Sequence, residues 1–568
     1  MIGGAILLLA WGAASGILLA RIALDLRAAK AATDRARGLS RIFDVAEGRP
    51  IPDLRVARQR FSEAHTQAGS RLLTPVRHFP VLGRQLRSIA ALSHAASQVA
   101  AVGEEAMVEG QELLGQPSGS GAERVRLVTA LGELAARTDT GLQPITLGPR
   151  KGLVPPLADA RNALADDLAA LRDQLQRGST GAKSVSLLLT GPRRYLLFAA
   201  NNAEMRAGSG MFLSVGELEI DSDGLRLGEM RSVLDVDVPP GSVPLDGDLA
   251  DRWGWLEPNR EWRNLMTSPR FDVAAPLAAE MWAAAGNRPV DGVLAVDPVT
   301  LAGLLEATGP VTVDGRQFDK TTVVEELLHG QYLRFGTGER SERQEELGKL
   351  ARAAFDALDA GGWSVPGLAS GLSSAAGGRH LLLWSSRQEE QSGWEALRVA
   401  GSLSADSMLL SVVNRGANKL DRFLNVSSEA SFTRAGPDTD VTLRVTLRNQ
   451  VPPGEPDYVL GSDPGSGVAP GVYLGIVTVN LPAEATGARF DDVGQLAVAG
   501  SDGATRVIGV QLQLDPGSER IVVARFRLPG RSGEIRVEPS ARVPATAWTG
   551  PEGEWSDKSA HEISWQTP

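Results

Sequence analysis

The hydrophobic positions of this chain change rhythm three times, and each change predicts a different kind of structure. From Ile2 to Ala20 apolar and small residues follow one another without a charge, close to the roughly 20 helical residues that cross a hydrocarbon layer. This predicts an N-terminal transmembrane helix, a signal anchor over residues 1–21. A cleavable signal peptide is the second reading, but a basic leading region and a small-x-small cleavage site are both missing.

Residues 22–180 carry Ala, Leu and Arg at helical spacing, broken at Gly48-Arg49-Pro50, at Thr74-Pro75 and around Pro117 to Gly121. A helical stalk or bundle is expected there. Asp159 to Leu175 reads as its last amphipathic helix, and Gly178-Ser179-Thr180-Gly181 as a hinge and domain boundary. Short apolar runs at Val185 to Leu189 and Tyr195 to Ala199 then mix with helices near Val273 to Ala285, Pro298 to Ala307 and Thr321 to Leu328, predicting a central α/β domain over residues 183–400. After about Asp406 helical spacing vanishes. Val441, Leu443, Val445 and Leu447 alternate strictly, and further alternating runs are separated by Gly, Pro and Asp, so residues 406–568 predict a C-terminal β-sandwich. The expected fold class is multidomain: transmembrane helix and helical stalk, central α/β domain, β-sandwich.

Composition adjusts this picture. A chain of 568 residues exceeds what one core serves, so several domains are expected. Its 43% hydrophobic and 22% charged residues are those of a globular protein. A net charge of -10 argues against a general nucleic-acid partner, which needs a broad basic face. With 0 cysteines there is no disulfide and no thiolate nucleophile, and the 6 histidines have no metal-ligand spacing. Arg21, Arg27, Lys30, Arg35, Arg37 and Arg41 all follow the apolar segment and no basic residue precedes it, which by itself points the body toward the cytoplasm. The cysteine-free, strand-rich remainder favours export instead. The expectation is a single-pass protein of the cell membrane with its body outside the cytoplasm.

Three ordered blocks carry a resemblance. RYLLFAANNAEMRAGSG runs from Arg194 to Gly210; VDGVLAVDP, from Val290 to Pro298, continues to TGPVTV, ending at Val313; and NRGANKLD runs from Asn414 to Asp421. With a P-V-L-G motif at Pro80 to Gly83, they resemble the bacterial domain-of-unknown-function family 4012. More distantly, the order of elements is similar to that of the LytR-CpsA-Psr (LCP) family, envelope phosphotransferases that move glycopolymers from a polyprenyl-pyrophosphate carrier to the cell wall. The central domain is thus LCP-like by resemblance. Tyr332-Leu333-Arg334 followed by Glu339 to Gln344 resembles that family's late Y-x-R and D-x-x-R-x-x-R-Q motif.

This second resemblance implies a membrane-anchored envelope protein that binds a polyprenyl-pyrophosphate-linked glycan and transfers it to a cell-wall polymer. Arg206, Arg231 and Asp235 take the catalytic positions, and Arg334, Arg340, Arg343 and Asn202 the substrate-binding ones. Planar guanidinium groups bind pyrophosphate oxygens in bidentate fashion. Magnesium, the implied cofactor, would sit on Glu204 and Asp235, with Asp237 as a further candidate. Asn201 and Asn202 stand where the transferases carry an aspartate. The alternative, from another class, is a non-catalytic scaffold whose stalk and sandwich organise envelope protein partners. Local alternatives stay open as well. Arg340 and Arg343 can pair with Glu339, Glu342, Glu345 and Glu346 on an exposed helix; Asn201 and Asn202 can cap a turn; Arg206 beside Gly208 and Gly210 suits close approach of an anion. Trp253, Trp255 and Trp262 can be core residues or stack on sugar rings.

Overall fold

Helical spacing over the first third of the chain becomes seven helices: α1 (Ile2–Gly38), α2 (Ile42–Ala46), α3 (Ile51–Ala68), α4 (Thr74–Arg77), α5 (Pro80–Leu114), α6 (Gly121–Leu142) and α7 (Pro155–Thr190). The computed structural model describes residues 2–39, 41–336, 338–461, 467–491 and 494–567, and of Ile2–Ala10 and Gly12 the backbone path alone. Two compact units result, residues 1–117 with 123–186, and residues 118–122 with 187–568. In the first, small residues set the packing: Ala32, Ala57 and Ala100 form one buried cluster, where α1, α3 and α5 approach closely. Buried Asp25 accepts from Arg60 Nη1 at 3.1 Å and Gln67 Nε2 at 2.8 Å.

The expected membrane anchor is corrected here. Among the described residues no helix is long and apolar enough to cross a membrane, which overturns the transmembrane helix and the single-pass cell-membrane placement built on it. α1 does not stop near Ala20 but continues through Arg21, Asp25 and Arg27 to Gly38. One face of its described part meets protein: Trp11 Nε1 donates to the Leu72 carbonyl at 2.9 Å, and Leu18, Ile22 and Leu26 pack with Ala64, Ala68, Leu73 and Leu86, while Ile17, Leu19 and Leu24 are exposed. The side chains of Ile2–Ala10 and Gly12, half of the expected span, lie outside the described residues. The expected hinge at Gly178 to Gly181 is likewise helical, inside α7. Close helix packing lies just beyond it, where a Cβ on Gly132 of α6 would stand 2.8 Å from that of Ala182, whereas Gly178 faces open space.

The second unit is built on a mixed sheet of β1 (Arg193–Met205), β2 (Gly210–Asp221), β3 (Gly224–Leu227), β4 (Arg231–Ser232), β5 (Gly292–Val296) and, after the small hairpin β6 (Val311–Val313) and β7 (Arg316–Phe318), β8 (Leu382–Ser385). The order is β3-β2-β1-β5-β8, with β4 beside β2; β1 is antiparallel to β2 (Leu197 opposite Gly216) and parallel to β5 (Leu197 opposite Leu294). Because side chains alternate along a strand, β1 has two apolar faces. Leu196, Phe198 and Ala200 bury against α9 (Phe271–Ala284) and against Trp253, the last residue of α8 (Gly247–Trp253). Tyr195 and Leu197 face the other way, toward Phe355.

On that side lie α10 (Pro298–Thr308), the run α11 (Val323–Glu325) and α12 (Gln331–Arg334) with a π-helical turn at Glu326–Gly330 between them, and then α13 (Arg340–Ala360) and α14 (Val365–Gly377). Two further six-stranded sheets follow, the first holding β10 (Leu424–Ala435) and β11 (Asp438–Asn449), the second β9 (Ser407–Asn414) and β12 (Tyr473–Leu481). The alternating Val441, Leu443, Val445 and Leu447 of β11 point into a core shared with Leu410, Val412, Val477 and Val479. Val413, Ile476 and Val507 join instead the cluster around Phe198 and Phe271, so the strand-rich part and the mixed sheet share apolar contacts.

Candidate functional site

The apolar face of β1 and β5 that looks toward α10 and α13 is not filled. Between them lies a cavity of about 310 Å³, at the lower end of the roughly 300–1,000 Å³ typical of small-molecule sites. One face of α13 accounts for its character. Arg340, Arg343 and Gln344 occupy the first turns of that face, and Leu347, Ala351 and Phe355 follow at helical spacing. Leu197, Ala199 and Val296 from the sheet and Leu301 and Leu304 from α10 extend the apolar lining. The cavity is thus apolar along α13 and cationic near its N-terminus, where the helix dipole also favours negative charge.

The polar end rests on an irregularity of β1. Regular pairing with β2 runs to Asn201 opposite Met211, then jumps to Met205 opposite Gly210, so the intervening residues bulge. Gly210 permits this, since a Cβ there would lie 2.4 Å from the Asn201 carbonyl carbon. A Cβ on Gly208 would lie 2.7 Å from Pro269 Cα. These glycines accommodate protein backbone, not an anion. The bulge turns Asn201 and Glu204 to the cavity wall. Asn201 Nδ2 donates to the Tyr332 hydroxyl at 2.7 Å, and Glu204 accepts from the Lys419 ammonium, both groups buried.

Around them stands a cation–aromatic cluster. The Arg343 guanidinium carbon is 5.2 Å from the Tyr332 ring centre and 4.6 Å from that of Tyr458; Lys419 Nζ is 5.6 and 4.9 Å from the same rings. Such contacts are worth about 2 kcal/mol when desolvated. Arg343 Nη2 donates to the Tyr458 hydroxyl at 2.8 Å, but its Nη1 is buried with no partner. Gln331 Oε1, from another residue lining the cavity, is also unpaired. Burial, then the charge of Glu204, pushes the Tyr332 hydroxyl well above the usual phenol range, so it stays neutral.

A second, polar cavity of about 210 Å³ adjoins the first and shares Glu204, Met211, Arg263 and Ala417 with it. Burial acts to raise the Glu261 carboxyl there, but its hydrogen bonds with Arg263, Nε to Oε1 at 2.8 Å, outweigh this and hold it low. With Glu204 committed to Lys419 and Glu261 to Arg263, the guanidinium groups of Arg340, Arg343 and Arg415 keep no carboxylate partner among the described residues. That excess of positive charge suits an anion.

The expected site residues divide accordingly. Arg340, Arg343 and Glu204 meet at the apolar cavity, with Arg340 Nη2 on Ser232 Oγ at 3.1 Å; Arg206 lines the polar one. Arg206 is nevertheless a structural tie. It donates to the carbonyls of Arg263 at 2.9 Å, Asn414 at 2.9 Å and Met205 at 3.1 Å, and burial pushes its guanidinium down to about 10. Asn202 is buried off the cavity wall and bridges Asp297 and the Ala541 carbonyl, each at 2.8 Å. Arg231 is exposed, stacked over Trp282 and bonded to Asn287. Arg334 pairs with Glu326 and Glu346. Neither arginine lines either of these two cavities. The exposed-helix reading of Arg343 fails as well, because that residue turns inward to the tyrosines.

Asp235 and Asp237 are exposed and off both cavity walls, while Glu204 is tied to Lys419. Among the described residues no group of three or more acidic or histidine side chains is disposed to hold a metal ion. The residues present therefore do not fit a magnesium ion shared by Glu204 and Asp235. The residues that sequence reasoning missed are Arg263, Arg415, Lys419 and Tyr458. Two of these, Arg415 and Lys419, stand in the Asn414 to Asp421 block, which entered the sequence reading only as part of a family resemblance.

It follows that Arg231→Ala and Arg334→Ala leave occupancy of the cavities unchanged. Titration of both variants with a lipid diphosphate checks this; a tenfold loss in either places that arginine back in the site. No curated protein and no solved structure matches the chain. Residues 190–332, the stretch from β1 through Tyr332 that carries the bulge and one wall of both cavities, match the model of the family described as Protein of unknown function (DUF4012).

Proposed function

We propose that the second unit binds a polyprenyl-pyrophosphate-linked glycan, with the prenyl chain in the apolar cavity and the diphosphate against Arg340, Arg343 and Lys419. The observation that carries this reading is the buried Arg343 Nη1, a cationic donor without a partner on the wall of an otherwise apolar cavity. A buried unsatisfied donor is unfavourable by about 1–3 kcal/mol, and a phosphate oxygen relieves that penalty. An apolar chain attached to a phosphate matches both ends of the cavity at once, as neither a free anion nor a plain hydrocarbon does. Transfer of the glycan to a cell-wall polymer is the reaction that would follow binding; the same cations would neutralise charge on the departing lipid phosphate.

The test is titration of the full chain in detergent with farnesyl diphosphate, farnesol and inorganic pyrophosphate. The diphosphate lipid is expected to bind saturably and at least tenfold more tightly than either half. Absence of saturable binding, or equal affinity for farnesol, leaves the scaffold reading as the better account.

A further inference from the structure

Three tryptophans lie close together in sequence, and the fold separates them. Trp253 and Trp262 are 1% and 2% exposed and belong to the core beneath β1, whereas Trp255 is 57% exposed. Its indole Nε1 donates only to the Arg252 carbonyl, at 3.2 Å, within its own turn. One contact ties the ring to the site: the Arg415 guanidinium carbon lies 5.0 Å from the Trp255 ring centre. Arg415 lines the polar cavity and has no ion pair among the described residues. Burial holds its guanidinium below the usual arginine range.

The two cavities share a wall at Glu204 and Arg263, so a ligand whose lipid lies along α13 and whose diphosphate meets Arg343 has its next group directed into the polar cavity. On that cavity's wall Glu261 Oε2 accepts one hydrogen bond, from Arg263, and Asn264 Oδ1 one, from Arg206 at 3.4 Å, so each oxygen keeps acceptor capacity for a hydroxyl. A pyranose ring has an apolar C–H face and a rim of hydroxyls. It therefore suits an exposed aromatic ring next to polar side chains better than a second phosphate or a hydrocarbon does.

We infer that the polar cavity and Trp255 form a saccharide subsite, which receives the first pyranose of a lipid-linked glycosyl diphosphate. The inference rests on the lipid-diphosphate reading and adds where the first sugar sits and which side chain, Trp255, holds it.

The experiment compares the full chain's affinity for farnesyl diphosphate with that for the same lipid diphosphate carrying N-acetylglucosamine. The sugar is expected to tighten binding roughly three- to tenfold. That ratio falls to near one in Trp255→Ala and is partly kept in Trp255→Phe; circular dichroism confirms that the variants are folded. A ratio near one in the intact protein, or one unaltered in Trp255→Ala, overturns the subsite. A third probe, lipid-free N-acetylglucosamine 1-diphosphate, separates the two readings. If neither lipid binds but this probe does so in a Trp255-dependent way, the lipid reading fails and the subsite stands. If the probe does not bind either, both fall.

Discussion

Replacing Asp421 with alanine is expected to destabilise the second unit by about 3–5 kcal/mol, the largest effect foreseen for a single substitution outside the apolar cores. The Asp421 carboxylate is fully buried and accepts from Met205 N at 2.9 Å, Asn414 Nδ2 at 2.8 Å, the Tyr473 hydroxyl at 2.9 Å and Arg542 Nη1 at 2.9 Å. Arg542 is equally buried and its Nε has no partner. Burial and the Asp421 charge push the Tyr473 hydroxyl far above the ordinary phenol range. Alanine would leave a buried guanidinium without its counter-charge and several donors unsatisfied, whereas an apolar replacement of both partners removes the imbalance. Asp421→Leu combined with Arg542→Met is therefore expected to recover most of the loss. Urea unfolding of the two variants beside the intact protein reads this directly. A loss below about 1 kcal/mol in Asp421→Ala would show that the network is dispensable. It also holds Met205, the residue between Glu204 and Arg206, so its loss is expected to blur the bulge that shapes both cavities.

The second large effect concerns binding. Arg343→Ala is expected to weaken the farnesyl diphosphate complex by about 1.5–3 kcal/mol, roughly tenfold to more than a hundredfold, through loss of a charge-assisted contact. Arg343→Lys keeps the charge but not the planar fork, so it regains only part. The place of Arg343 between Tyr332 and Tyr458 predicts that Arg343→Ala also lowers stability by about 1–2 kcal/mol. A purely structural role would weaken farnesol and farnesyl diphosphate binding alike. Loss confined to the phosphorylated lipid supports the anion site, and equal loss for both sinks it.

What the sequence determined by itself was local. Alternation at Val441, Leu443, Val445 and Leu447 specified a strand with one buried face, because one side chain in two must point inward wherever one side of a sheet meets a core. The Ala-rich helical spacing before residue 180 specified helices for the same kind of reason. Arg340 and Arg343 were singled out only through the motif resemblance of Tyr332 to Gln344, since helical spacing alone equally suited an exposed helix paired with glutamates; the structure puts both on the cavity-facing side of α13.

Tertiary structure decided which of those local signals met. An uncharged run reads alike whether it faces lipid or protein, and Trp11, Leu18 and Ile22 found partners on the helices around Leu72 and Ala64. Glycine pairs read alike as hinge, anion cradle or packing contact; Gly208 and Gly210 proved to be contacts with backbone. Spacing in the chain does not say that Arg334 would be claimed by Glu326 and Glu346, nor that Lys419 and Tyr458, far along the chain, would complete a cluster around Arg343. Charge pairing and burial depend on separations in space, and those are set only when the sheet, α13 and the strand-rich region pack together.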